Sequence, residues 1–270
     1  MKIAILGANS EIAKDLTPRL SGDGHDVWAF ARKGPGYRYC DYNVFHISNG
    51  FDAIINFVGI GDPDKIKIMG GDIFRVTDIY DNMVLNYLKF YHKRKYIFIS
   101  SGAAQNPVNA YGAAKARAEL RHRYMPYNIV DIRIWNYFSH TQSTKTGFFM
   151  SDVVRAVETG QTLNTSGANM VRDYASPDDL HQLINKVLEA PPVNCQVDLY
   201  SKEEVSKFQL IDAITYKYNL ITITDGCFGC DRYYPSLTPD ECSARKIFGY
   251  EPAKTSLENV MHELNLRFGD

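Results

Sequence analysis

The sequence predicts a doubly wound, parallel α/β sheet with a smaller C-terminal lobe. Three observations carry that expectation. Short, continuously apolar runs recur at 3–6, 27–31, 53–58, 96–100 and 129–134, the character of strands covered on both faces. Longer helix-like stretches at 11–20, 78–91, 110–123, 152–159 and 177–188 alternate with them, as parallel strands with crossover helices require. From about residue 193 the pattern breaks up, and Tyr, Pro, Gly and Cys crowd 226–239, which reads as a loop-rich second lobe. The expected division is 1–136 with 171–192 for the sheet domain, and 137–170 with 193–270 for the lobe.

Composition narrows the class. The chain of 270 residues is 45% hydrophobic and 23% charged, long enough and apolar enough for a buried core. A net charge of −1 gives no support for nucleic-acid binding through bulk charge. No run approaches the roughly 18 apolar residues of a membrane helix. Met1-Lys2-Ile3-Ala4-Ile5-Leu6 is too short before Gly7 to be a signal peptide and reads as a first strand. Five cysteines, an odd number without secretory context, read as reduced thiols of a cytoplasmic protein.

The first strand leads into Gly7-Ala8-Asn9-Ser10-Glu11-Ile12-Ala13. A dinucleotide-binding turn belongs here: a tight bend, close backbone approach to a pyrophosphate, and a helix N-terminus aimed at negative charge. Gly7 alone of the usual three glycines is present; Ser10 and Ala13 stand at the other two positions, both small. A plain strand-to-helix turn would also explain the segment. The second strand ends in Ala31 where an NAD enzyme often places an acid, and Arg32-Lys33 follow at once. Two cations suit the 2′-phosphate of NADP, although a solvated basic turn is the bland alternative.

The fourth apolar run ends in Ser100-Ser101, and Tyr111-Gly112-Ala113-Ala114-Lys115 follows. A spacing of four puts the Tyr111 phenol and the Lys115 ammonium on one helix face. The ammonium is expected to lower the phenol's pKa, and a serine hydroxyl from the strand end can hold a substrate carbonyl.

Taken with Asp41, Ile54-Ile55-Asn56-Phe57-Val58-Gly59, Arg133-Ile134-Trp135-Asn136, Arg172-Asp173-Tyr174…Asp178-Asp179 and Ile247-Phe248-Gly249-Tyr250-Glu251-Pro252, the sequence resembles the extended short-chain dehydrogenase/reductases over nearly its whole length. The likeness is to the nucleotide-sugar epimerase, dehydratase and reductase branch. It implies a Rossmann-like sheet with a substrate-binding C-terminal lobe and a homodimer. It also implies roles by position. Ser101 orients the substrate; Tyr111 is the general acid or base; Lys115 holds the nicotinamide ribose. Gly7, Asn9, Ser10, Glu11, Ile12, Arg32, Lys33, Asp41, Phe57, Val58 and Gly59, together with Tyr111 and Lys115, would contact the cofactor, Asp41 at the adenine. Asn136 and Arg172 would bind the diphosphate of a nucleotide-sugar substrate, and His140 would lie near the sugar. For Arg172 a salt bridge to Asp173, Asp178 or Asp179 is the alternative, and for His140 a plain loop residue.

Departures from the family pattern shape the functional expectation. Ten positions separate Ser101 from Tyr111, fewer than usual, and Gly102-Ala103-Ala104 replaces the Asp-Glu pair that sugar dehydratases carry after their hydroxyl residue. Dehydration is therefore not expected. Arg32-Lys33 points to exchangeable NADPH and so to a reductase of a nucleotide-linked keto-sugar. An epimerase is the nearest enzymatic rival, and a non-catalytic NADP(H)-sensing protein the rival of another class. Cys227 and Cys230 form a C-x-x-C without further ligands at zinc spacing, so no metal is expected; they read as a turn that could touch the sugar.

Overall fold

The computed structural model describes residues 1–32, 39–40, 45, 50–235 and 244–269. The first half of the chain runs β1 (Lys2–Leu6), α1 (Glu11–Gly22), β2 (Asp26–Phe30), β3 (Tyr39–Cys40), β4 (Ala53–Asn56), α2 (Pro63–Met69), α3 (Asp72–Phe90), β5 (Lys95–Ser101), α4 (Ala110–Arg123) and β6 (Ile129–Ile134). Next come β7 (Asn136–Tyr137), α5 (Phe149–Thr159), β8 (Leu163–Thr165), β9 (Asn169–Arg172), β10 (Tyr174–Ala175) and α6 (Pro177–Glu189). The remainder is β11 (Asn194–Leu199), β12 (Val205–Ser206), α7 (Lys207–Tyr218), β13 (Thr222–Thr224), β14 (Cys230–Tyr233), α8 (Ala244–Phe248) and α9 (Ser256–Phe268).

Seven strands form one sheet in the order β11-β6-β5-β4-β1-β2-β3, every neighbouring pair parallel. β4 and β5 are buried at every position, which is why they read as unbroken apolar runs. One face packs on α1 and α6 through Leu16, Leu20, Leu180 and Leu183, the other on α3 and α4 through Val84, Leu88 and Ala118. The chain order reverses between β1 and β4, so a crevice opens beyond their carboxyl ends, where such sheets bind ligands.

The sheet continues past 192, the residue at which the sequence pattern seemed to end it. β11 pairs with β6 from Asn194 opposite Ile129 to Leu199 opposite Ile134, and Ala244 and Phe248 of α8 join the same core. β11 is an edge strand, with Val197 and Leu199 buried between polar neighbours, so it lacks the continuous apolar signature.

A second core gathers Phe138, Met150, Val153, Leu163, Tyr174, Leu210, Ile214, Val260 and Leu264 from α5, α7, α9 and their strands. Both α7 and α9 begin with reciprocal capping boxes, Ser206 with Gln209 and Thr255 with Glu258. The two cores are joined across α1: Asp15 accepts hydrogen bonds from the Tyr137 phenol (2.9 Å) and the Thr141 hydroxyl (2.7 Å). No helix among the described residues is long and apolar enough to cross a membrane.

Candidate active site

The turn after β1 lies at the crevice. Gly7 has φ +76°, and a Cβ there would stand 2.9 Å from the Phe57 carbonyl carbon and the Val58 nitrogen. Only glycine lets β1 and the end of β4 approach this closely. The Gly7 and Ala8 N–H groups both donate to the Phe30 carbonyl, each at 3.1 Å, which anchors the turn to the end of β2. Ser10 caps α1 by accepting from the Ala13 N–H at 3.2 Å, and Glu11 accepts the Ser143 N–H at 3.1 Å. Glu11 thus binds a segment of the second lobe. Arg32 is exposed just beyond β2. Lys33 and Asp41 lie outside the described residues.

At the end of β4 the Asn56 side chain accepts the Val58 N–H and donates to the Tyr96 phenol, each at 2.9 Å, fixing the path of Phe57 and Val58. A Cβ on the next residue, Gly59, would lie 3.1 Å from Lys115 Nζ and 3.7 Å from the Tyr111 ring. The loop after β4 therefore closes directly on the Tyr111–Lys115 pair.

Asn109 caps α4 by accepting the Gly112 N–H at 2.9 Å, which sets Tyr111 and Lys115 in its first two turns. Lys115 is fully buried; its Nζ donates to the carbonyls of Ile99 (2.7 Å) and Val58 (3.2 Å) and stands 4.2 Å from the centre of the Phe98 ring. Burial pulls its pKa down to about 8, against the opposing pull of Asp81, Glu119 and Asp131. Burial pushes the Tyr111 phenol up to about 12, the nearby Ser101 side chain offsetting part of that. The expected depression of Tyr111 by Lys115 is thus not what this structure has, because the ammonium is turned onto backbone carbonyls. Ser101, at the end of β5, accepts the Ala103 N–H at 3.2 Å and lies near enough to Tyr111 and Tyr233 to draw both phenols down against burial.

Behind Lys115 the protein is ionic. His122 is buried between Asp131 (2.6 Å) and Asp81 (2.9 Å), and Asp81 also accepts from Tyr96 (2.8 Å) and Arg121. Beside them Glu119 accepts from the Ser100 hydroxyl at 2.5 Å and pairs with Arg133.

The residues expected at the diphosphate are already engaged. Asn136 donates to the carbonyls of Asp173 (3.2 Å) and Tyr233 (3.3 Å). Arg172 pairs at 2.5 Å with Asp231, and not with Asp173, Asp178 or Asp179. Those three have other partners: Asp173 accepts the Ser201 N–H, Asp178 pairs with Arg19 and Lys254, and Asp179 closes the cap of α6. His140 is held by Glu263 of α9 through its N–H (2.9 Å) and its Nδ1 (2.8 Å). Cys227 and Cys230 are exposed free thiols, and no group suited to a metal occurs among the described residues.

Tyr233, which the sequence reading did not single out, reaches the Ser101–Tyr111 pair from β14. In that strand Asp231 and Tyr233, two residues apart, share a face, and both touch Arg172. Cys230-Asp231-Arg232-Tyr233 carries no period-two alternation, and Gly229 and Pro235 flank it, so no sequence signal marked this short strand.

Comparison with known proteins places the fold and the family. One relative, the CDP-abequose synthase of Yersinia pseudotuberculosis, is 22% identical over 206 residues, which cover 68% of this chain and 72% of that protein. The fold matches the UDP-N-acetylglucosamine 4-epimerase of Bacillus cereus with a TM-score of 0.79 at 15% identity over 100% of both chains. It matches the UDP-glucuronic acid 4-epimerase of Bacillus cereus, solved with UDP-glucuronic acid and NAD, with a TM-score of 0.79 at 15% identity over 98% of both chains. Residues 3–197 fit the profile of the NAD dependent epimerase/dehydratase family, and with well over half its length matched the chain belongs to that family of NAD(P)-dependent enzymes.

Proposed function

We propose that the protein is an NADPH-dependent reductase of a nucleotide-linked keto-sugar. The observation that carries the reading is the convergence of Ser101, the neutral Tyr111 phenol and the buried Lys115 at the mouth of the crevice. The crevice fits a dinucleotide: the Gly7 turn leaves no room for a side chain, and α1, whose N-terminus suits an anion, begins just beyond it. Gly7, Asn9, Ser10, Ile12, Phe57, Val58 and Gly59 would line the cofactor, with Glu11 bracing the turn, and Arg32 would meet the 2′-phosphate. Bound NADPH supplies the hydride.

The chain's own residues do the rest. Ser101 and Tyr111 donate hydrogen bonds to the ketone oxygen and stabilise the charge that develops there. Tyr111, held protonated at neutral pH, gives that oxygen its proton. The Lys115 ammonium offsets the tyrosinate that remains. Asn136 and Arg172 take the diphosphate, for which Arg172 exchanges Asp231. The relative named CDP-abequose synthase supports a nucleotide-linked sugar as the product class. Exposed Ile79 on α3 and Leu120 on α4 are consistent with a homodimer through those helices.

An epimerase that retains NAD is the second reading, favoured by the 4-epimerases of like fold, one of them solved with NAD. Fluorescence titration with NADPH and NADH, with analysis of nucleotide released on denaturation, separates the two. A clear preference for free NADPH supports the reductase; tightly retained NAD supports the epimerase; binding of neither sinks both. Tyr111→Phe is expected to lower turnover by about 10²- to 10⁴-fold while leaving NADPH affinity unchanged.

A further inference from the structure

We propose that Tyr233 contacts the sugar of the substrate, its hydroxyl joining those of Ser101 and Tyr111 at the reacting end. The inference rests on the nucleotide-sugar reading above and extends it to a residue of the second lobe. Tyr233 stands between the two halves of the site. On one side it is opposite Arg172 in the β9–β14 register, and the guanidinium lies 5.7 Å from the centre of its ring. On the other side its ring packs on the Trp135 indole, which abuts Gly102, the residue next to Ser101. A nucleotide sugar with its diphosphate on Arg172 and its carbonyl on Ser101 has its sugar between them, alongside this ring.

The ring is held in place. The Trp135 indole packs against it at 4.9 Å between centroids, and Asn136 donates to the Tyr233 carbonyl at 3.3 Å. Trp135 is itself fixed by a 2.8 Å hydrogen bond from its indole N–H to Asp198 of β11. The phenol is thus positioned by the sheet although it is carried by the lobe. Burial raises its pKa, so it remains a hydroxyl donor and acceptor at neutral pH. Hydroxyl-rich ligands are recognised by groups of this kind, and loss of one neutral hydrogen bond weakens binding by about three- to ten-fold.

The test uses Trp135 as the reporter. The chain has two tryptophans, so Trp28→Phe leaves Trp135 alone, 4.9 Å from Tyr233. In that background the full chain is titrated with UDP-, CDP-, dTDP- and GDP-glucose and with each free nucleoside diphosphate, following Trp135 emission. Wild-type Tyr233 is expected to favour the sugar-bearing form of one nucleotide over its free diphosphate. Tyr233→Phe, which keeps the ring and its packing, is expected to lose about three- to ten-fold in affinity for the nucleotide sugar and nothing for the free diphosphate. Equal affinities in the two proteins, or equal losses for sugar-bearing and free nucleotide, overturn the role of Tyr233 while leaving the nucleotide-sugar reading intact. Failure of every probe to bind overturns both, and unchanged NADPH affinity in the variant shows that its fold is preserved.

Discussion

Lys115 illustrates how a single residue trades stability for a site. Its pKa is drawn from 10.5 down to about 8, so the folded chain penalises the protonated amine. The penalty is fully present below about pH 8 and fades as pH climbs toward 10.5, where the unfolded chain also releases the proton. Lys115→Met is therefore expected to abolish turnover yet raise the melting temperature at pH 7 by at least about 2 °C, the shift that about 1 kcal/mol makes in a chain of this size. Calorimetry that finds the variant no more stable refutes the account. A second expectation concerns Asp231, whose carboxylate occupies Arg172. Asp231→Asn is expected to lower KM for the nucleotide sugar about three-fold or more by freeing the guanidinium, with kcat little changed. Steady-state kinetics decide it, and a raised KM would mean that Asp231 aims Arg172 instead of competing for it. At this scale the sequence was most informative where the spacing is local. Tyr111 and Lys115 are four apart on one helix, and Gly7 follows a strand directly. Tyr233 is 132 positions from Ser101, and nothing short of the folded chain brings them together.

At the scale of elements, α4 gives one buried stripe two duties. Tyr111 and Lys115 serve the site from its first two turns, and His122, seven residues beyond Lys115 on the same face, is buried against Asp81 of α3 and Asp131 of β6. Burial alone would lower the His122 pKa, but the hydrogen bonds to Asp131 and Asp81 outweigh it and hold the ring at about 9 against an ordinary 6.5. A raised folded pKa gives stability that is complete below pH 6.5 and lost as pH rises through 9. Urea midpoints are expected to fall over that window in the wild type and to be flatter in His122→Gln. Should that variant fail to fold, an NMR titration of the His122 ring in the wild type with a midpoint near 6.5 would equally refute it. Legibility differed among the elements for a physical reason. β4, β5 and β6 are buried at nearly every position because both sheet faces are covered, so their largely apolar runs stood out. β11 alternates buried and exposed residues at an edge, and the β14 strand is four residues long. α7 and α9 did announce themselves through Ser206-x-x-Gln209 and Thr255-x-x-Glu258, a signal that the loop-rich composition around them obscured.

For the whole molecule, the division into a parallel sheet domain and a smaller lobe was legible, since β-α alternation reflects the covering of both sheet faces. The boundary between them was not, because the chain crosses it repeatedly. β7, β9 and β10 leave the sheet domain and α6 returns to it; β11 joins the sheet, the α7 helix leaves, and α8 returns. Each core is therefore completed by chain that passes through the other. Ser201 of the sheet side meets Ser256 at the start of α9 at 2.8 Å, and Asn259 of α9 meets Asp179 of α6 at 2.6 Å.

The hydrogen bonds that Asp15 accepts from Tyr137 and Thr141 have a thermodynamic meaning in this setting. They lie on α1, and the Glu11 bond to Ser143 lies on the same helix one turn earlier. Loss of the small core would strip a buried carboxylate of both its donors, so neither core can melt without loosening the other. The expectation is one calorimetric transition, with calorimetric and van't Hoff enthalpies equal, and Asp15→Ala should split or broaden it. The two lobes would then form a single cooperative unit, and an opening large enough to admit ligand would have to be a small rocking about α1 and not a parting of domains.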